Sequence, residues 1–173
     1  MSLVYDVYKS KLGNLYILSE DGFIVSVYIG DEKFNNLKNE CIKKGIDIKI
    51  SKEDLKEAIS QIDDYFNGKR KVFNLNIRIE GTEFQKSVYR EMLKIPYGET
   101  LCYSDIARNI NNPKSVRAIG QASKSNKIPI IIPCHRVVGK KNIGGYMGNH
   151  SDLKEILLNL ERQSKLIKKC FYC

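Results

Sequence analysis

Histidine is nearly missing from this 173-residue chain: there are two, and the first stands at position 135. Imidazole chemistry is thereby excluded from everything before that point. A structural zinc held by Cys and His in the N-terminal half is excluded with it, because that half offers only Cys41. No metal and no other cofactor is expected, and His150, alone in its segment, reads as a loop residue. No apolar run approaches the length of a membrane span. The first residues, Met1-Ser2-Leu3-Val4-Tyr5-Asp6, contain neither a basic nor an apolar leader segment, so no membrane partner and no secretion are expected. The five cysteines are odd in number and irregular in spacing, which argues against a disulfide framework and for reduced thiols in a cytoplasmic chain. Cys170-Phe171-Tyr172-Cys173 superficially matches a prenylation box, but aromatic residues replace the aliphatic pair.

Acidic residues are also scarce, in one place only. Between Tyr103 and His150 eight basic residues face a single acid, Asp105. Residues 1–80 carry 13 Lys+Arg and 13 Asp+Glu, whereas 81–173 carry 16 and 7, so the whole net charge of +9 lies in the second half. A basic tract beside a neutral, equally lysine-rich half is the footprint of a phosphate-binding surface rather than of compositional bias. With 42% apolar residues, the length suits one medium domain or two small ones. The charge break and the tract Gly68 to Gly81 suggest two, divided as 1–80 and 81–173.

In the first half, Val4–Tyr8, Leu15–Leu18 and Phe23–Tyr28 read as strands. Asp21-Gly22 marks a hairpin, and the three strands form an antiparallel meander. A polar helix is predicted over Glu32–Lys44, stopped by Gly45, and Ile46–Ile50 alternates like a half-buried strand. Ser51 caps a second helix with Leu55, Ala58, Ile59 and Ile62 inward and Gly68 at its end.

The second half opens with a capping box, Thr82 to Gln85, and a helix carrying Phe84, Val88, Met92 and Leu93. Two short helices follow, Tyr103–Ile110 and Pro113 to about Ser125, joined by Asn111-Asn112, with Asn112 as N-cap. They form a helix-turn-helix candidate. Ala118 and Ala122 lie one turn apart beside Gly120, and Lys114, Arg117 and Lys124 supply cations. Small side chains let such a helix lie close in a groove while the cations meet phosphates. Val137–Tyr146 reads as a β-turn-β wing. The last helix, Asp152 to Lys168, is predicted to face inward with Leu153, Ile156, Leu157, Leu160 and Ile167. Glu161 falls within that stripe, where a carboxylate needs a partner such as His135.

The most informative residues are Pro133-Cys134-His135-Arg136-Val137. They follow Ile128–Ile132, which reads as a short buried strand bounded by prolines. A thiol where core gives way to surface, beside an imidazole and a guanidinium, is placed to act as a nucleophile. The alternative is a buried cysteine packing as a small hydrophobe.

From Thr82 to Glu161 the chain resembles the methylated-DNA–protein-cysteine methyltransferases, which repair alkylguanine in DNA. The resemblance rests on Pro96-Tyr97-Gly98-Glu99-Thr100, Asn112-Pro113-Lys114, Arg117-Ala118-Ile119-Gly120, Asn126, Ile130 through Val137, Gly144-Gly145-Tyr146 and Lys154 through Leu158. It implies an α+β protein in two domains. A small ribonuclease H-like antiparallel sheet with helices is followed by a helical winged-helix/helix-turn-helix domain that binds DNA and accepts the alkyl group. It implies Cys134 as alkyl acceptor, His135 as base through a water, Glu161 orienting His135, and Asn126 bracing the recognition helix. Tyr103 would help to rotate the base out of the stack and Arg117 would fill the gap. Ser123 and Arg136 would join Lys114, Ala118, Ala122 and Lys124 against DNA. Pro129, Tyr146, Met147, Gly148 and Lys154 would line the pocket. The expected partner is duplex DNA containing alkylated guanine, met by a monomer. The loop Met147–Leu153 is about one residue longer than the family pattern. Two other functions compete on the residues alone. One is a DNA-binding module that recognises lesions without chemistry; the other is a cysteine hydrolase using Cys134 and His135.

Overall fold

A computed structural model describes residues 3–140, 142–146 and 151–170, with side chains through Gln163. The chain divides into two compact units, Met1–Arg78 and Ile79–Cys173.

The first unit is a four-stranded sheet with helices. Strands β1 (Leu3–Ser10), β2 (Gly13–Glu20) and β3 (Phe23–Ile29) form the antiparallel meander. Asp21 and Gly22 both have positive φ, 50° and 78°, which is the requirement of the tight hairpin turn whose twist matches its strands. Helix α1 (Asp31–Lys43) then carries the chain across to β4 (Ile48–Ile50), which pairs parallel with β1 and sets the strand order β3-β2-β1-β4. The central strand β2 buries Leu15, Ile17 and Leu18.

Helix α2 (Lys52–Phe66) starts where Ser51 Oγ accepts a hydrogen bond from Asp54 N, and it buries Leu55, Ala58 and Ile62 as the pattern predicts, while Ile59, also expected inward, is half-buried. It also buries Gln61, whose amide makes both a donor and an acceptor bond to the backbone of Asn74. The tract after α2 is therefore more than a connection. Ile24 N donates to Asn76 O at 2.8 Å and Arg78 N donates to Ile24 O at 2.9 Å, so residues 76–78 line the edge of β3.

The second unit is mainly helical. Helix α3 (Glu83–Met92) begins with the full capping box of Thr82 and Gln85. Its buried face is Val88, Tyr89 and Met92, with Leu93 exposed. Strand β5 (Leu101–Cys102) precedes helix α4 (Tyr103–Asn109). Helix α5 (Val116–Lys124) starts three residues later than predicted. Pro113 sits inside a turn closed by Ser115 N on Asn112 O, and Ser115, not Asn112, is the N-cap. Proline's fixed φ suits the second position of a β-turn as well as the first of a helix, and here the turn wins. Asn111 takes the left-handed conformation between the two helices, with φ 57°.

Strand β6 (Val137–Val138) pairs parallel with β5 rather than returning on itself as a hairpin wing. Helix α6 (Ser151–Cys170) closes the unit. Its inward stripe is Lys154, Leu157, Leu158 and Glu161, while Ile156 is exposed. The predicted stripe is thus rotated, because two charged residues occupy core positions; the Ile167 side chain lies outside the described residues. No helix among the described residues is long and apolar enough to cross a membrane.

Candidate alkyl-acceptor site

The approach to Cys134 is a turn, not the straight strand that its apolar run suggests. Ile132 N donates back to Ile128 O at 2.9 Å, and Ile130 is forced to φ 76°. Positive φ in a β-branched residue costs about 1–3 kcal/mol and persists only where surrounding contacts over-determine it. Pro133, at φ −81° and ψ 61°, makes an inverse γ-turn in which Cys134 N donates to Ile132 O at 2.8 Å. Cys134, His135 and Arg136 then form one 3₁₀ turn, all three buried. An apolar run is buried on every side in either conformation, so its pattern does not separate strand from turn.

Asn126 holds this turn at three points. Its Nδ2 donates to Ile132 O at 3.0 Å and to Cys134 Sγ at 3.1 Å, and its Oδ1 accepts from Ile128 N at 3.0 Å. One side chain at the end of α5 thereby sets the path of the strained segment and the position of the sulfur.

Behind the sulfur lies a buried charge network. His135 Nε2 is 2.7 Å from Glu161 Oε1, and both residues are fully buried. Arg136 turns inward and places Nε at 3.0 Å from Glu161 Oε2 and Nη2 at 3.0 Å from Oε1, while Nη1 donates to Ile95 O at 2.7 Å. Gly98 N donates to Glu161 Oε2 at 2.8 Å. Arg136 is therefore not a DNA contact, contrary to expectation. Its charge is committed to a buried carboxylate 25 residues away, which no local pattern reveals.

Burial pushes the Glu161 carboxyl up, but hydrogen bonds and charge from His135 and Arg136 outweigh it and hold it at about 2. Burial lowers His135 below its ordinary 6.5, against the pull of Glu161. At neutral pH the pair is a carboxylate and a neutral imidazole. A carboxylate can only accept, so Nε2 carries the proton and Nδ1, also buried, carries the lone pair. Burial pushes the Cys134 thiol up, partly offset by the Asn126 hydrogen bond and the Lys154 charge. A thiol and a neutral imidazole form the resting pair, and an attack by sulfur needs the base.

Lys154, an expected pocket residue, is wholly buried, with Nζ donating to Val137 O at 2.6 Å and Gly145 O at 3.2 Å. Burial lowers it to about 8, opposed by Cys134. It ties β6 to the Gly144-Gly145 segment and brings a positive charge toward the sulfur. Gly144 allows the closure: its φ is 71°, and a Cβ there would stand 3.0 Å from Tyr103 Oη.

A cavity of about 250 Å³ opens over Cys134, between Tyr103, Ser123, Lys124, Gly145 and Tyr146. Gly120, noted in sequence beside Ala118 and Ala122, and Gln121 complete its α5 wall; Gln121 does not stand out in sequence except by helical spacing from Lys124. The hydroxyls of Ser123 and Tyr146 are buried with no protein partner among the described residues. The site thus gathers Tyr103, Ser123, Lys124, Asn126, Cys134, His135, Tyr146, Lys154 and Glu161 in one unit. Lys114, Arg117 and Ala118 are exposed on α5 and its preceding turn. Ala122 is not: it faces the core, and its carbonyl accepts from Tyr89 Oη at 2.9 Å, so its small size serves helix packing rather than a groove. Pro129 is buried in the turn before the cysteine. Met147, Gly148 and His150 lie outside the described residues. Among the described residues no cluster of His, Cys, Asp and Glu could hold a metal ion.

If His135 is the base, acid should stop the reaction. Below the lowered His135 value the imidazole is protonated at both nitrogens and takes no proton from the thiol. Single-turnover transfer should be level through neutral pH and fall only below 6.5. A decline that starts above neutrality on acidification would assign the base elsewhere.

Known proteins resemble this chain over most of its length. Residues 83–163 match the 6-O-methylguanine DNA methyltransferase DNA binding domain, and residues 3–79 match the ribonuclease-like domain of the same proteins. The chain is 40% identical over 161 residues to the constitutive methylated-DNA–protein-cysteine methyltransferase of Bacillus subtilis, covering 92% of this chain and 96% of that protein. The crystal structure of Mycobacterium tuberculosis O6-methylguanine methyltransferase superposes with a TM-score of 0.81 at 28% identity, covering 94% of both chains. The Mycobacterium tuberculosis OGT structure in complex with DNA gives 0.79 at 28% identity, over 95% of this chain and 94% of that one. Two domain matches in the right order, and relatives aligned almost end to end, place the chain in the 6-O-methylguanine DNA methyltransferase family.

Proposed function

We propose that the protein repairs O6-alkylguanine in duplex DNA by taking the alkyl group onto Cys134. The carrying observation is the sulfur at the floor of the cavity, 3.1 Å from Asn126 Nδ2, backed by the buried His135–Glu161–Arg136 network. His135 Nδ1, through a bridging water, takes the thiol proton. The charge of Lys154 and the Asn126 amide favour the thiolate that results. The sulfur attacks the alkyl carbon, a C–S bond forms, and the C–O6 bond breaks with its electron pair going to the guanine. One proton returned to the guanine, with Tyr103 hydrogen-bonded to the base, completes the balance.

A thioether has no leaving group for water to displace, so each chain acts once and stays alkylated. A guanine oxygen in the stack is out of reach of a thiolate, which requires the nucleotide to be turned out into the cavity. Lys114, Arg117, Ala118 and Lys124 form the exposed face that meets the duplex. One chain holds the complete site, so it works on its lesion as a monomer. A thiol that must stay reduced suits the cytoplasm. The test is intact mass after incubation with methylguanine duplex: one methyl per chain, on Cys134.

Arg117 is the residue proposed to fill the vacated stack. Its loss should therefore slow transfer from duplex much more than transfer from free alkylguanine base, which needs no extrusion. A mere phosphate contact would instead be rescued at low salt or high protein. The comparison is the single-turnover rate of Arg117→Ala with saturating duplex against its rate with free base. Equal losses on both substrates would mean that Arg117 supports the pocket or fold.

A further inference from the structure

One edge of the N-terminal sheet is lined by residues 76–78. The other edge, β4, is open among the described residues, and its sequence, Ile46-Asp47-Ile48-Lys49-Ile50, is complementary to its own reverse: isoleucine falls on isoleucine and Asp47 on Lys49. The backbone orientation follows from its bonds to β1. Leu3 N donates to Asp47 O at 3.2 Å and Ser51 N donates to Tyr5 O at 2.9 Å. Backbone groups alternate sides along a strand, so Asp47, Lys49 and Ser51 face β1. Ile48 and Ile50 then turn their N–H and C=O to the open edge, as does the carbonyl of Ile46; Ile46 N is already used by Cys41 O at 2.9 Å. The side chains flanking this edge are exposed, Ile50 at 57% and Ile46 at 43%, and Ile48 between them is half-buried. Asp47 and Lys49 stand on the opposite face from the isoleucines, 2.6 Å apart.

We propose that β4 docks against β4 of a second copy of this chain, antiparallel, with the twofold axis at Ile48. Ile48 of each copy exchanges two hydrogen bonds with the other. Ile50 N of each donates to Ile46 O of the other. Asp47 comes opposite Lys49 twice, in the closely spaced positions of an antiparallel ladder, and Ile46 comes opposite Ile50. The register is selected by charge. A slip of two residues in one direction sets Asp47 against Asp47, and in the other sets Lys49 against Lys49, both unfavourable. A lone lysine on an edge deters foreign strands, but one matched by Asp47 across a twofold admits only this strand. The contact is short, so pairing is reversible and appears at high protein concentration. It leaves the alkyl-acceptor site complete in each copy.

Sedimentation equilibrium of the full-length protein over a dilution series tests this. Wild type should show a monomer–dimer equilibrium. Lys49→Asp and Asp47→Lys, each alone, should weaken it about tenfold or more, because two favourable pairs become two repulsive ones. An equimolar mixture of the two variants should recover pairing, now between unlike chains. Ile48→Pro removes an edge-facing N–H without touching the β1 ladder and should leave monomer. Undiminished single-hit transfer to Cys134 would show that each variant is folded. A wild type that stays monomeric at every concentration would overturn the proposal. So would a mixture that associates no better than either variant alone.

Discussion

Cys134→Ser should lose alkyl transfer entirely while binding duplex DNA within a few-fold of wild type. A serine hydroxyl is a far weaker nucleophile than a thiolate, and a neutral His135 is too weak a base to ionise it. Affinity should survive because the cations proposed to meet phosphates, Lys114, Arg117 and Lys124, lie on exposed parts of α5 and its preceding turn, whereas Cys134 is buried. Single-turnover transfer and a binding titration at one fixed salt concentration separate the two effects. Normal methylation of this variant at another residue would remove Cys134 as acceptor.

The second large effect is structural. Arg136→Leu leaves the Glu161 carboxylate buried without its guanidinium partner, while the contacts to His135 and the Gly98 amide remain. Removing one partner of a buried pair costs about 3–5 kcal/mol, since the remaining charge stays desolvated. The loss should be seen in the C-terminal unit, by hydrogen exchange of the α3 and α6 amides. Adding Glu161→Gln should recover much of the stability, because the uncompensated charge is gone. It should not recover transfer: a neutral amide no longer holds the His135 tautomer as a carboxylate does. A single variant losing under about 1 kcal/mol would mean that water reaches the carboxylate.

Acid should unfold the same network. Glu161 sits at about 2, below its ordinary 4.5, so its stabilisation is complete above 4.5 and is lost as pH falls toward 2. His135, lowered from 6.5, adds a loss of the same sign that begins at higher pH, because the unfolded chain takes up its proton first.

Local chemistry made much of the molecule legible from sequence. Asp21-Gly22 gives the hairpin, Ser51 and the Thr82–Gln85 box start their helices, and each signal lies within a few residues of its effect. What stayed hidden depends on partners far along the chain. Arg136 reads as a surface cation until Glu161 and the Ile95 carbonyl are brought to it. Lys154 and Glu161 displace apolar residues from the inward face of α6 because the core beneath them is polar. Ala122 reads as a groove residue, yet a tyrosine from α3 lies against it. The turn at Ile130 is invisible in a run of isoleucines, since nothing in their polarity records a reversed φ.

The most direct test of the account is intact mass spectrometry, with peptide mapping, of protein incubated with excess methylguanine duplex. The expected result is one methyl group per chain, located on Cys134, with repair ending when one equivalent of lesion is consumed. Continued repair by limiting protein, or methyl found on any other residue, would contradict it.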